Sequence, residues 1–553
     1  MKKSVKNVTV ENLEKFRSDL MKSKPGKARS GAAVAIKAEP APFHFSTSLS
    51  HANAPRSSMD ADVSLPSGDV NTKKRSRASL IEDAKSNSAF SGRSGHGQVV
   101  ASYSGIESYK FTVKSNLVVA IDLHENWRPF EHGYRWNYNS LGDIASALDS
   151  RVSRLSTALL DRLKDMTIDS KHVKGSGASK IGKGVGKGAE NDDDVVDNGL
   201  QDTIIGVIAS GNENSVHIDR RDVCLIEHNR ESKASRGMKK LDLLAIENVS
   251  LFRGQVVAVE GVNNGPHTRY IAHSIYSIVN PDVFLHSDAD NVLRSRELHL
   301  MFASGPFTAN EDLSYEPLTE LLRQVKVRQP HVLVLLGPFV DEHHPMIQNA
   351  STHLTFDQIH EGVMTKIEEY LAGIANPPRV IVLPALEDVT HQCVLPQPSL
   401  PATAGTKFSY FPNPAVFTIN ALQFATTSVD VLHHLERNSL ISGPQSSDLH
   451  SSLASFVLNQ QSLFPIYPPP TEVPIDMPHA EEGLTIPSLP DALIFTSTIH
   501  PFVRTINGVL AINIGKVIIH GQPGTFAEVK IAQTPLGAST SLVQRTLVEI
   551  VRI

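Results

Sequence analysis

Continuous apolar runs and helical repeats alternate along the C-terminal half of the chain. Residues 298–302, 331–336 and 379–383 are apolar almost throughout, which is typical of strands buried on both faces of a sheet. Between the last two runs, one apolar helical face is predicted from Phe356, Ile359, Val363, Ile367, Tyr370 and Ile374. The pattern indicates β-α-β units. Further strands are predicted at 416–419 and 422–424, as a hairpin about Asn420 and Ala421, and at 509–514, 526–531 and 542–550.

The middle of the chain is first helical and then rich in short strands. From 140 to 166, apolar side chains recur every three or four residues and predict one amphipathic helix: Leu141, Ile144, Leu148, Val152, Leu155, Leu159 and Leu163. Short β-type runs follow at 203–208, 223–227, 255–260 and 270–275. Because polar turns separate these runs, we expect a small barrel.

Two segments lack a sustained apolar pattern. Residues 1–95 are rich in Ser, Ala, Lys and Pro, so burial cannot offset the entropy of ordering, and we expect a disordered basic tail. Within it, the apolar repeat at 10–20 fits either a docking peptide or a transient helix without a partner. Residues 171–198 combine Gly, Lys and Ser with three consecutive aspartates. That composition predicts a solvated low-complexity insertion.

The net charge is unevenly distributed. The chain carries −5 overall, and residues 1–95 hold 17 Lys and Arg against 9 Asp and Glu, a balance of +8, so the remaining residues carry −13. An acidic body repels phosphate backbones. Over 201–280 the basic and acidic residues number nine each, and the aromatics are Phe252, Tyr270 and Tyr276. This composition is poor for stacking bases, so we expect those aromatics in the core and the barrel in contact with protein.

Cysteine content and hydropathy exclude two further classes. The two cysteines, Cys224 and Cys393, fall in different predicted domains, which fits a reducing compartment and excludes a four-cysteine zinc site within the chain. No run approaches the roughly 18 uninterrupted apolar residues of a membrane span. We therefore expect no contact with a membrane.

The first loops after the C-terminal strands carry little that could bind metal. Two-metal phosphoesterases bring roughly five to seven oxygen and nitrogen ligands to such loops. Where they carry Asp-x-His, this chain has Ser304 and Pro306. The metal-bridging aspartate of Gly-Asp-x-x-Asp is replaced by Pro338, and proline has no side-chain ligand.

The later loops offer three possible ligands, Asp341, Asp388 and His500, which are too few for two metal ions. Asp341 and Asp388 could be relic ligands or could brace loops by accepting backbone N–H bonds, and we favour bracing. The histidine pairs at 343–344 and 433–434 are a possible metal site, but adjacent side chains on a strand point to opposite faces, so we expect surface or half-buried histidines instead. At the remaining loop positions where two-metal phosphoesterases carry ligands, this chain has Leu386, Glu387 and Thr498.

Five short segments complete the pattern: residues 97–100, 252–261, 337–341, 463–469 and 551–553. They read Gly-Gln-Val-Val, Phe-Arg-Gly-Gln-Val-Val-Ala-Val-Glu-Gly, Gly-Pro-Phe-Val-Asp, Leu-Phe-Pro-Ile-Tyr-Pro-Pro and Val-Arg-Ile. Together with the altered metal loops, this set resembles one family, the B subunits of the DNA polymerase alpha–primase complex. Each segment alone is a weak signal, but five matches in the family's order are not expected by chance.

The resemblance implies an α/β plus β architecture, in which an OB-fold barrel is followed by an inactive calcineurin-like phosphoesterase domain, a β-sandwich flanked by helices. It implies three parts: the tail at 1–95, an OB-fold domain at 96–290 with a helical elaboration and the insertion at 171–198, and the phosphoesterase-like domain at 296–553. The implied function is a non-catalytic scaffold, without cofactor, that binds the C-terminal region of the polymerase alpha catalytic subunit. Through the complex it would meet the primase subunits, and DNA only indirectly, in support of primer synthesis.

Two other function classes remain as alternatives. One is a single-stranded-DNA-binding accessory factor, which the neutral barrel and acidic body disfavour. The other is a divergent metal-dependent phosphoesterase, which Pro338 disfavours. A nuclear location is expected from the resemblance and from a basic cluster of nuclear-import type: Lys73, Lys74, Arg75 and Arg77.

Overall fold

A computed structural model describes most of the chain beyond residue 89. The described residues are 90, 92–106, 119–127, 129–130, 140–173, 202–212, 218–228, 237–263, 269–277, 288–402, 407–443, 448–534 and 541–553. Residues 1–89, with the basic cluster at 73–77, lie outside these ranges, as does the predicted insertion from residue 174 onward. The expectations for those segments stay predictions.

The first of two large sheets contains the three apolar runs predicted as buried strands. Within the described residues its order is β1 (Val99–Ser104), β22 (Thr546–Arg552), β21 (Thr525–Ile531), β9 (Leu298–Ser304), β10 (Val332–Leu336), β11 (Arg379–Leu383) and β12 (Ser409–Tyr410). β9, β10 and β11 run parallel, with Val332 opposite both Leu300 and Arg379. This arrangement confirms the parallel sheet expected from the continuous apolar runs.

Helices cover the outer face of this sheet. α3 (Glu316–Arg328) and α5 (Phe356–Ala372) bury one side each against it, together with alternate strand residues such as Met301 and Leu333. α5 begins at a capping box, in which Thr355 accepts from the Gln358 backbone N–H and the Gln358 side chain accepts from Thr355. The predicted β-α-β unit is therefore confirmed.

The second sheet packs on the inner face of the first. Its order is β17 (Phe502–Ile506), β18 (Val509–Asn513), β16 (Ala492–Phe495), β14 (Leu422–Thr426), β13 (Ala415–Ile419) and β2 (Ile121–Leu123). Phe302 of the first sheet and Phe424 of the second meet with ring centroids 6.0 Å apart. The predicted hairpin is confirmed, because β13 and β14 pair about Asn420 and Ala421, whose φ values of 50° and 59° fit a two-residue type I′ turn.

A closed five-stranded barrel lies in the middle of the chain. Its strands follow the order β3 (Asp202–Ser210), β4 (Val223–Glu227), β5 (Met238–Asp242), β8 (Arg269–Tyr276) and β7 (Val256–Asn263). α1 (Leu141–Val173) packs Val152, Leu155 and Leu159 against β7, as the amphipathic repeat predicts. The helix runs seven residues past the predicted end at 166, into the first residues of the segment predicted as an insertion.

The structure corrects the boundary predicted between residues 96 and 290. β1 pairs with β22 and β2 pairs with β13, so these two strands belong to the large sheets and not to the barrel. Phe90, predicted to lie in the tail, is 2% exposed and packs in the core beneath α3. The physical reason is that strand pairing is non-local, and runs this short carry no signal of their partner.

The barrel and the sheets are joined by direct pairing. β6 (Val249–Phe252) forms an antiparallel ribbon with β15 (Ser439–Ser442). The buried Gln460 side chain accepts from the Val256 N–H at 2.8 Å and donates to the Val256 carbonyl at 3.0 Å. Arg151 of α1 donates to the Pro465 carbonyl at 2.7 Å. These contacts make the barrel and the two sheets one continuous body.

Shorter elements complete the described residues. They are α2 (Asp288–Arg294), α4 (Pro345–Gln348), α6 (Val431–Asn438), α7 (Leu449–Asn459), α8 (Met477–Leu484), β19 (Ile518–Ile519) and β20 (Gln522–Pro523). The strand predicted at 542–550 begins with a 3₁₀ turn at Leu542–Arg545, and β22 starts only at Thr546. Across the described ranges, no helix is both long and apolar enough to span a membrane.

Candidate functional site

The loops whose residues were compared with metal motifs meet in one crevice. They follow the carboxyl ends of β9, β10, β11, β14 and β16, the edge where open α/β sheets bind ligands. Ser428, after β14, donates to the Pro384 carbonyl after β11 at 2.8 Å. Thr496, after β16, donates to the Ser428 carbonyl at 3.1 Å. The ends of both sheets are therefore joined by hydrogen bonds across the crevice.

The first two loops approach each other through glycines. The Ser304 hydroxyl donates to the Gly337 carbonyl at 3.3 Å, and the Gly305 N–H donates to the Leu336 carbonyl at 2.8 Å. A Cβ on Gly305 would overlap the Pro338 carbonyl. Ser304 and Pro338 are thus packed against each other's loops, and Pro306 follows half-buried.

Asp388 joins the second and third loops. It is 1% exposed, and its carboxylate accepts backbone N–H bonds from Phe339 at 2.5 Å, Val340 at 3.1 Å and Ala385 at 2.9 Å. Burial raises the pKa of Asp388 to about 7, against the three N–H groups that favour the ionised form. A Cβ on Gly337 would overlap this carboxylate. Asp388 therefore has the bracing contacts favoured for it from the sequence.

The residues beside Asp388 are occupied by local contacts. Asp341 accepts the His343 N–H at 2.9 Å and lies opposite Asp388 in a single antiparallel bridge. Leu386 is 7% exposed and belongs to the core between the sheets. Glu387 accepts the Glu342 N–H through its backbone carbonyl at 2.9 Å. Neither Asp341 nor Glu387 is brought into a ligand cluster with Asp388.

The loop after β16 is held by Asp430, an aspartate that was not predicted as a site residue from the sequence. Asp430 accepts from the Thr498 N–H at 2.8 Å, the Thr498 hydroxyl at 2.6 Å and the Ser497 hydroxyl. It also caps α6 by accepting the His433 N–H at 3.1 Å. An aspartate directly before a helical segment is a common N-cap, and that signal could have identified Asp430. His500 is exposed, with its Nδ1 2.9 Å from the Pro501 carbonyl.

Neutral polar side chains fill the interior of the crevice. The Asn413 carbonyl oxygen accepts from the Thr427 hydroxyl and the Ser428 N–H, both at 3.1 Å, and its amide donates to Gln397 at 2.6 Å. Asn513 accepts the Ser497 N–H at 2.9 Å. Such a network holds the loops together.

Three of the four paired histidines are exposed or half-buried, as expected, whereas His344 is buried. His344 caps α4, with its Nδ1 accepting the Met346 N–H, and His433 and His434 are on α6. Burial lowers the pKa of His434. In the part of the chain that the structure describes, no group of three or more His, Cys, Asp or Glu side chains is placed to hold a metal ion.

The aromatics of the barrel segment are buried or half-buried, and Tyr270 packs in the barrel core while Phe252 packs in the core between the two sheets. Phe252 is fully buried and Tyr270 is 1% exposed, while the half-buried Tyr276 donates its hydroxyl to Glu260 at 2.8 Å. This confirms the expected core role for Phe252 and Tyr270, whereas Tyr276 is only partly buried. They do not present the row of exposed rings on which single strands stack.

The chain is similar to known replication proteins. Residues 300–504 match the family model for the DNA polymerase alpha/epsilon B subunit. The Rattus norvegicus DNA polymerase alpha B subunit is 23% identical over 471 residues, which cover 84% of this chain and 73% of that protein. The resemblance to the polymerase alpha B subunits is confirmed.

Other relatives carry the same name. The Schizosaccharomyces pombe DNA polymerase alpha B subunit is 28% identical over 59% of this chain and 58% of its own length. The Drosophila melanogaster protein is 30% identical over 57% of this chain, and the match spans about half, 49%, of that relative. The family-model match runs from β9 into β17 and so contains most of the crevice, without Asn513, and none of the barrel.

Proposed function

We propose that this chain is a non-catalytic accessory and scaffold subunit of DNA polymerase alpha–primase that binds the C-terminal region of the catalytic subunit. In this role it supports the initiation of replication by primer synthesis, and it meets primase and DNA through the complex. The observation that supports this most is the Asp388 carboxylate, which accepts three backbone N–H groups and so braces two loops. The names of the relatives give the polymerase alpha role its support.

The proposed domains follow from the same reasoning. We assign the closed barrel with α1 to an OB fold and the two packed sheets to an inactive phosphoesterase-like domain. Pro338 stands at the position of the bridging aspartate, packed against Gly305. Ser304, Thr498 and the crevice asparagines hydrogen-bond within the protein, so this edge of the sheets is built for packing rather than for coordination.

Scaffolding is also favoured by the junction between the barrel and the sheets. The β6–β15 ribbon and the Gln460 contacts with Val256 hold two folded parts in a fixed relation. A preorganised surface loses less conformational entropy on binding than two flexibly linked parts. A partner that contacts both parts would therefore bind more tightly than either part alone allows.

The non-catalytic half of the proposal is tested by hydrolysis and metal assays. The purified full chain is incubated with phosphomonoesters, phosphodiesters and DNA ends, with Mn²⁺, Zn²⁺ or Fe²⁺ added. We expect no turnover and no stoichiometric metal, since the crevice side chains are already bonded to one another. Turnover that His500→Ala abolishes would establish the divergent phosphoesterase instead.

The binding half is tested by co-expression with the C-terminal region of the catalytic subunit. The full chain is used because β1 and β2 complete the large sheets, so a fragment starting at residue 296 lacks two strands. We expect co-purification in a defined ratio, and weak binding of single-stranded DNA with a shallow salt dependence. Tight DNA binding without co-purification favours the single-strand-binding alternative.

A nuclear location follows from a replication role, and the basic cluster is its proposed import signal. Changing Lys73, Lys74, Arg75 and Arg77 to Ala should reduce nuclear entry of the subunit expressed alone. The matched control changes Lys22, Lys24, Lys27 and Arg29 to Ala, which removes the same charge elsewhere. Equal nuclear entry of both variants and the wild type would refute the import role of the cluster.

A further inference from the structure

An apolar groove lies at the edge of the first sheet, away from the crevice. It is formed by the last turn of α5, the amino end of β11 and the residues just before β12, and its volume is about 440 Å³. Leu371 and Val380 are buried in its floor, Phe408 is half-buried, and Ala372 is exposed at its margin. Small-molecule sites bury most of their ligand. This groove, with exposed residues along its margin, suits a segment of polypeptide better.

The groove forms where β12 separates from β11. Pairing of the two strands begins with Ser409 opposite Ile381. Lys407 and Phe408, the two residues before β12, lie outside the ladder. β12 is also the last strand of the first sheet in the described part of the chain. At its amino end, β11 therefore has no paired strand on this side among the described residues.

One backbone donor of β11 faces the gap between the strands. Alternate residues of a parallel strand bond to the same neighbour, and the Val382 carbonyl accepts the Phe411 N–H at 2.9 Å on the β12 side. Val380, two residues earlier, directs its N–H to that side as well. The next bond of the ladder would join this N–H to the Lys407 carbonyl, and it is absent from the described backbone. An extended peptide added at this edge can supply the missing carbonyl.

The charges around the groove are arranged with one sign on each side. Arg379 and Lys407 line the strand side and are exposed. Neither forms an ion pair within the described residues. The half-buried Glu368 lines the side formed by α5. A carboxylate is therefore attracted to the strand side and repelled from the helix side, while the apolar floor favours a hydrophobic side chain.

We propose that this groove binds an extended acidic segment of a partner protein by strand addition. A backbone carbonyl of the segment accepts from the Val380 N–H. An apolar side chain packs on Leu371 and Phe408, and the next residue, an Asp or Glu, pairs with Arg379 or Lys407, because successive side chains of a strand point to opposite faces. Main-chain bonds supply affinity and the alternating side chains supply specificity. The groove lies outside the crevice, and such binding does not require the polymerase catalytic subunit.

The test titrates the full chain by calorimetry with a blocked peptide, acetyl-Asp-Leu-Asp-Leu-Asp-amide, at about 0.15 M salt. We expect saturable one-to-one binding. The charge-reversed peptide acetyl-Lys-Leu-Lys-Leu-Lys-amide should bind at least about tenfold more weakly, because Arg379 and Lys407 repel it.

Two charge variants locate the binding. Arg379→Gln with Lys407→Gln should weaken the acidic peptide about fivefold or more, since each exposed ion pair contributes up to about fivefold. The matched control, Arg221→Gln with Arg269→Gln, removes the same charge from exposed positions of the barrel segment. It should bind the acidic peptide within about twofold of the wild type.

A third variant separates the groove from its charge. Ala372→Trp fills the groove without changing its charge, and it should weaken the acidic peptide at least about tenfold. Equal affinity of the wild type and the Arg379 and Lys407 double variant would overturn the proposal. So would equal binding of the two peptides, or no saturable binding below about 1 mM. If Ala372→Trp fails to fold, the double variant, whose changes lie on exposed side chains, decides alone.

Discussion

The most quantitative prediction concerns Glu528, which lies within the first sheet on β21. Its side chain is 2% exposed and contacts three basic residues: His299 at 2.7 Å, Lys530 at 3.0 Å and Arg328. Burial alone would raise the pKa of Glu528, but the hydrogen bond and charge of His299 and the charge of Arg328 outweigh it and lower the pKa to about 2 from 4.5. The ionised carboxylate therefore stabilises the fold.

The magnitude follows from linkage between protonation and folding. A carboxyl pKa lowered by roughly 2.5 units contributes about 3 kcal/mol at pH 7. Because the folded pKa is depressed, this stability is present above the unfolded pKa of 4.5 and is lost as pH falls toward 2. Glu528→Gln should thus lower the free energy of unfolding by about 3 kcal/mol at pH 7, and by only about 1.5 kcal/mol near pH 3.

The assay is urea unfolding of the full chain followed by circular dichroism at several pH values. Glu549→Gln is the matched control, since Glu549 lies opposite Glu528 on β22 but is 32% exposed and 3.9 Å from Lys530. We expect the control to change stability by less than about 1 kcal/mol. A cost for Glu528→Gln that is equal at pH 7 and pH 3, or no larger than that of the control, would refute the reasoning.

Two further predictions test the crevice and the junction. Asp388→Ala should lower the free energy of unfolding by about 2 kcal/mol or more, because three buried N–H groups lose their acceptor. Asp341→Ala is the control. A thermal midpoint that is unchanged or raised in Asp388→Ala would indicate that Asp388 is an unpaired relic ligand and not a brace. Gln460→Leu should lower the free energy of unfolding by about 2–4 kcal/mol, since the Val256 N–H and carbonyl lose their partner. Amide hydrogen exchange should then rise first in β7. An exchange pattern identical to that of the wild type would contradict the stabilising role of the Gln460 contacts.

The sheets and helices of the C-terminal half could be predicted because their signals are local. The runs at 331–336 and 379–383 are apolar on both faces, so they had to be buried strands. The hairpin at Asn420 was visible because a short turn joins two apolar segments, and positive φ suits Asn there. Where one segment's own pattern determines its structure, sequence reasoning was sufficient.

The pairing of short segments could not be predicted in the same way. β5 was missed because Met-Lys-Lys-Leu-Asp has no apolar alternation and buries only Leu241. β1 finds its partner β22 more than 400 residues away along the chain. Such pairings depend on tertiary packing, which overrides weak local propensity.

The crevice was predictable in position but not in its contacts. Parallel strands bring Ser304 and Pro338 to the same edge, and the residue types at these positions could be read directly from the sequence. Asp430 and Asn413 were missed, because each acts on residues distant along the chain, as when Asp430 accepts from Thr498. Polar side chains that brace loops have no spacing rule comparable to that of a metal motif.

The central claim is tested most directly by titrating the purified full chain with the C-terminal region of the polymerase alpha catalytic subunit in a calorimeter. The proposal predicts a one-to-one complex with a negative heat-capacity change, because a preformed surface buries apolar area on binding. Gln460→Leu should weaken that complex, whereas the exposed α5 variant Asp357→Asn with Glu361→Gln should not. Absence of a complex, together with tight binding of single-stranded DNA by the same preparation, would contradict it.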